Sequence, residues 1–166
     1  MDWNLRHRVA PTIANLQGFV PLTSGDRNLV GAFVTAIGLS AIMGLQAIDT
    51  FGADHAWVQY RIWIVAVSLS GGYMALRIAS DLFGHCGVRG VSKAILGGLW
   101  FTALVGLIAG SFMLPVFGTM FGPFAIVMLI VGSPWTASMW IAGLWSMHLM
   151  MRCWRTEQDR LFARLQ

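Results

Sequence analysis

Three histidines and two cysteines are the side chains of this chain best suited to hold a metal or a cofactor. His55, His85 and His148 are candidates for axial haem ligands, because histidines inside helical membrane bundles hold that group. Once the apolar runs are drawn, His55 falls in one connecting loop, His85 in another and His148 near the end of the last run. Only His85 and His148 share a side, so they are the one pair left for a cofactor, and no cofactor is assigned. Cys86 and Cys153 could join them as four zinc ligands, but His85 and Cys86 are adjacent and no CxxC spacing exists, so no metal site is expected. Both thiols fall on the side read below as cytoplasmic, where a structural disulfide does not form. The lack of outward cysteine pairs sets the chain apart from four-span disulfide-generating quinone reductases.

A proton or cation relay needs a titratable group within the bilayer. None of the apolar runs carries one centrally, which also separates this chain from small multidrug exporters. The polar groups there are Thr35, Ser40, Gln46, Ser68, Ser70, Thr102, Ser111, Thr136, Ser138 and Ser146, and small hydroxyls commonly bond the helix backbone. Trp135, Trp140 and Trp145 are spaced so that each indole turns by about 140° from the last, so the three do not line one pocket. They could frame a lipid, quinone or pigment site, but bulky packing is the preferred reading. The scattered methionines read as core filler. No catalytic or nucleotide-binding motif is present, and the sequence points away from an enzyme.

The elements that carry these residues follow from composition. Of 166 residues, 57% are hydrophobic and 11% charged, too apolar for an ordinary soluble domain. Four runs are long enough to cross a bilayer, at about 29–48, 62–79, 94–114 and 124–150. Drawn this way, ten of the eleven Lys and Arg residues fall on one side, and Arg61 alone lies opposite. Because positive charge is retained in cytoplasmic loops, this implies an inner-membrane protein with both termini cytoplasmic. The basic residues stand singly at run ends, where anionic lipid attracts them, and no nucleic-acid partner is implied. Arg61 and Arg77 bracket the second run about 24 Å apart and reach opposite interfaces by snorkelling. Trp57, Trp63 and Trp154 also fall at interfaces, as aromatic belts do.

The expected fold is therefore all-α, a bundle of four transmembrane helices. Residues 1–28 form a cytoplasmic or interfacial segment, 29–150 the bundle, and 151–166 an amphipathic cytoplasmic tail lying on the membrane surface. The leader lacks the pattern of a cleaved signal peptide, so the first run would act as a signal anchor. The third run carries Ala94, Gly98, Thr102, Gly106 and Gly110 every four residues, a small-residue stripe that includes a GxxxG step. In lipid, such stripes let helix backbones approach closely, so this helix is the expected centre of packing or a dimer face. The stretch 115–123, with two prolines and two glycines, reads as a tight turn. Gly132, Ser133 and Pro134 interrupt the fourth run, which should be kinked or split there. In length, span number, cytoplasmic termini and interfacial leader the chain resembles the small four-span membrane subunits of tripartite solute transporters.

These features imply an accessory, assembly or scaffold subunit that works by helix packing in the lipid bilayer, against other membrane subunits or as a homo-oligomer. A small oligomeric transporter or channel subunit is the alternative, and a haem- or quinone-binding redox protein using His85 and His148 a further one.

Overall fold

The computed structural model describes residues 23–51, 60–113 and 118–163. These are helical, with no strand among the described residues: α1 (Ser24–Phe51), α2 (Arg61–Ala79), α3 (Gly87–Met113), α4 (Gly118–Gly132) and α5 (Pro134–Ala163). A short 3₁₀ turn, Ser80–Leu82, follows α2. The helices α1, α2 and α3 are each long and apolar enough to cross a membrane, and the bent pair α4–α5 would make a fourth if counted as one span.

The helix α1 begins earlier than the apolar run because its first turn is capped. Thr23 and Asp26 satisfy each other's backbone, with Asp26 N–H donating to Thr23 Oγ1 (3.2 Å) and Thr23 N–H to Asp26 Oδ2 (3.3 Å). That reciprocal arrangement is the logic of a capping box, with aspartate in the acidic position.

Helices α1, α2 and α3 run antiparallel in turn, and small residues set how closely they pack. Along the α1–α2 seam, Ser40 stands against Gly72 and Ser68 against Gly44, so two Ser-x-x-x-Gly steps interlock reciprocally. Between α2 and α3, a Cβ on Gly71 would meet the Val105 carbonyl at 3.4 Å. The helix α5 lies along the whole of α1: Thr136 reaches Gln46, Gly143 faces Leu39, Gly31 faces Met150 and Gly25 faces Glu157. The apolar core lies among α1, α2, α3 and α5, where Ala32, Ala36, Leu76, Phe83 and Met147 are fully covered.

The fourth run departs from a single crossing at 124–150. It consists of two helices that meet at 111°, broken at Ser133. Pro134 has no N–H and its ring clashes with a preceding turn, so α4 cannot continue through it. Proline is favourable as the first residue of a new helix, and Ser133 caps that helix, its Oγ accepting from Thr136 N–H at 3.4 Å. At 1.5 Å per residue, α4 is about 22 Å long, short of a hydrocarbon core of ~30 Å, whereas α5 extends about 45 Å.

Two further expectations need correction. The stretch 118–123, expected as part of a turn, forms the first turns of α4, with Pro123 inside the helix. Residues 151–163, expected as a separate tail on the membrane surface, continue α5 without a break. They stay in line because they are held: Met151 is buried, Trp154 packs on the core, and Arg155 Nη2 donates to the Ser80 carbonyl at 3.1 Å.

Candidate functional site

The stripe on α3 meets α4 and α5. A Cβ on Gly106 would stand 2.6 Å from Pro123 Cα, and one on Gly110 would overlap the Gly118 carbonyl. The glycines of α4 are engaged in turn, Gly118 against Gly110 and Gly122 against Gly106. Two GxxxG steps thus pair backbone to backbone, which is possible only where neither helix carries a side chain. Further along α3, Gly98 receives the Leu144 side chain of α5. Thr102 accepts the Trp140 indole N–H at 3.0 Å and donates its own proton to the Gly98 carbonyl at 2.7 Å. Ala94 belongs to the core cluster. All five stripe residues therefore face the inside of the protomer.

Close approach at the glycines leaves space beside them. A cavity of about 210 Å³ lies between α1, α2, α3 and α4, toward the Phe51 end of α1. Its walls are glycine and apolar side chains apart from Ser40 and Ser68. Phe51 and Phe121 both border it and meet edge to face, ring centroids 6.2 Å apart. No single stretch of sequence announces this cavity, because four helices each contribute one face to it. The signal that could have been read is the pair of Ser-x-x-x-Gly steps, 40/44 and 68/72, together with the second GxxxG at 118/122.

A more polar hollow lies at the α4–α5 break, bounded by Gln46, Asp49, Thr50, Gly132, Ser133 and Thr136. Thr136 donates to Gln46 Oε1 at 3.2 Å, and nearby Asp49 pairs with Arg61 at 3.2 Å, both well exposed.

At the opposite end of the bundle, the backbone holds both candidate cofactor histidines. His148 is buried, and its Nδ1 accepts the Gly84 N–H at 3.3 Å. His85 donates from Nε2 to the Asp81 carbonyl at 2.8 Å. His148 ties the α2–α3 connection to α5, and because its Nδ1 accepts there its Nε2 carries the ring proton and offers no lone pair to an iron, while His85 braces the connection on itself. Cys86 and Cys153 are free and exposed, and among the described residues no three His, Cys, Asp or Glu side chains gather as a metal site would need.

Of the interface candidates, Arg77 is exposed near the last turn of α2, Trp63 is half-exposed near its start, and Trp154 is partly covered by the core. Trp57 and His55 lie outside the described residues. The tryptophans that follow Pro134 diverge: Trp140 turns inward to Thr102, while Trp135 and Trp145 are exposed.

No protein family, curated protein or solved structure matches this chain. Function is therefore read from the geometry alone.

Proposed function

We propose that this protein is an integral protein of the inner (cytoplasmic) membrane. It crosses four times, by α1, α2, α3 and α5, keeps both termini cytoplasmic, and serves as an accessory, assembly or scaffold subunit. Charge placement supports the membrane reading: Arg27, Arg77, Arg89, Lys93, Arg152, Arg155 and Arg160 cluster at one end of the bundle, and Arg61 stands at the other. Reporter fusions should place the Arg89–Lys93 segment in the cytoplasm; an external signal there would overturn the orientation.

The subunit role rests on two tryptophans. Trp100 on α3 and Trp145 on α5 sit midway along their helices, are about half exposed, and have no indole hydrogen bond among the described residues. An indole N–H at that depth finds no water and favours a neighbouring chain that offers an acceptor. The stripe of α3, by contrast, is already spent within the protomer. Replacing both tryptophans by phenylalanine should weaken co-purification of partner subunits, or of a second copy, after gentle detergent extraction. Each lost hydrogen bond in a membrane is worth about 0.6 kcal/mol, so the double variant should lose several-fold in affinity. Full retention of the complex would contradict this role.

The α4–α5 break favours a second reading, a transporter or channel subunit. A break between two helices leaves end carbonyls and N–H groups without intrahelical partners, and this one lies beside Gln46, Asp49 and Thr136 at one end of the bundle. Pro134→Ala should then change flux while protein abundance is kept; unchanged flux counts against it.

A further inference from the structure

Hydroxyl groups in the helices of this protein mostly fold back on their own backbone. Thr35, Ser40, Ser70, Thr102, Ser111 and Ser138 each donate to the carbonyl four residues earlier. Ser68 does not. It is 6% exposed, borders the cavity between α1, α2, α3 and α4, and has no hydrogen bond among the described residues. Its hydroxyl opens onto the cavity and not onto a carbonyl, and an unpartnered hydroxyl facing an otherwise apolar space favours a group that can accept from it.

The size of the cavity narrows what that group can be. An engineered apolar cavity of about 150 Å³ holds a benzene ring, and this one is about 210 Å³. A substituted six-membered ring fits that volume. Charge is excluded, because no ionisable side chain borders the space and the walls are otherwise glycine, aliphatic and aromatic. Phe51 and Phe121, at 42% and 54% exposure, stand between the cavity and the surface at the end where α1 stops and α4 begins. The helix α4 packs chiefly on α3 and only lightly on α1, so the seam bridged by these two rings is the weakest wall.

We propose that the cavity binds an uncharged single-ring amphiphile carrying a ring carbonyl, of the size of a substituted 1,4-benzoquinone, with Ser68 donating its hydroxyl proton to that carbonyl. A plain lipid tail would fill the apolar volume but leave Ser68 unpaired. The ring enters between Phe51 and Phe121 from the bilayer, where such molecules concentrate.

Two probes of nearly the same shape test this. Tetramethyl-1,4-benzoquinone carries carbonyls, and its fully substituted ring gives Cys86 and Cys153 no open position to add to. Its hydrocarbon counterpart, 1,2,4,5-tetramethylbenzene, has none. With the full chain in lipid nanodiscs, the quinone should bind saturably at one per chain, and more tightly than the hydrocarbon. Ser68→Ala should weaken quinone binding roughly two- to tenfold, the worth of one hydrogen bond, and leave the hydrocarbon unchanged. Ala47→Phe, which puts a ring into the cavity from α1, should abolish both. Equal binding of the two probes to the unmodified chain would make the space a lipid-tail cavity and overturn the proposal. So would the absence of saturable binding, or quinone affinity unaltered by Ser68→Ala, a change small enough to leave the fold intact should Ala47→Phe disturb it.

Discussion

Replacing Gly110 by alanine is expected to unseat α4 from α3. The added methyl would overlap the Gly118 carbonyl, and Gly122 Cα lies 3.2 Å away. Both obstacles are backbone, so no rotamer change relieves them and the helices must separate. Overpacking of this kind costs ~1–3 kcal/mol, and the upper end is expected here because the partner helix carries glycines at the same level. The matched control is Gly38→Ala on α1, where an added Cβ meets nothing within 4 Å. A glycine in a helix interior loses about 1 kcal/mol relative to alanine, so that change should be neutral or mildly stabilising. Thermal unfolding in detergent reads both. A Gly110→Ala variant as stable as Gly38→Ala would show that the α3–α4 seam is looser than the structure describes.

The other large effect is expected at Gly84, in the connection between α2 and α3. Its φ is +83°, a left-handed conformation that costs an L residue about 1–2 kcal/mol. Its N–H donates to His148, and a Cβ there would stand 2.7 Å from the Met151 carbonyl of α5. Strain, overlap and loss of that hydrogen bond combine, so Gly84→Ala should destabilise by roughly 3–5 kcal/mol. Gly87 separates the terms. It has φ of +78° but open space around it, so Gly87→Ala should cost only the conformational part, about 1–2 kcal/mol. If the two alanine variants unfold at the same temperature, contact with α5 contributes nothing at Gly84.

Apolar length made α1, α2 and α3 legible in the sequence, because a run of that composition has few alternatives to a buried or membrane helix. Their ends were less so. The helix α3 begins at Gly87, before the apolar run, since Val88–Lys93 are helical despite Arg89 and Lys93. Hydropathy marks where a chain is apolar, whereas helices end where caps and turns allow. The fourth run was misjudged for a related reason. Gly118 and Gly122 read as turn formers, yet they are glycines because Gly110 and Gly106 press against them, and a close approach is invisible until the partner helix is known. Ser133-Pro134 was legible: a capping residue followed by the residue best suited to a first helical position marks a break, and the run is split there as expected.

Candidate sites fared differently from helices. His85 and His148 stood out by residue type, but each is held by a backbone group that no side-chain pattern encodes. Ser68 looked like any other small hydroxyl, and it is distinguished only by the hydrogen bond it does not make. Chemistry that depends on what a group lacks emerges only from a full three-dimensional account of its neighbours.

The pairing of α5 with α1 along its full length has a consequence for the order in which the chain can assemble. Helices α1 to α4 each find a partner next to them in sequence, so those seams close locally and early. The α1–α5 seam instead joins residues far apart, Gly25 with Glu157 and Gly31 with Met150. During synthesis, one flank of the first helix must wait, uncovered, until the last helix has been made. Closing that ring is the slow, non-local step of folding, and the interval before it is when a quality-control protease or a chaperone would find this protein most exposed.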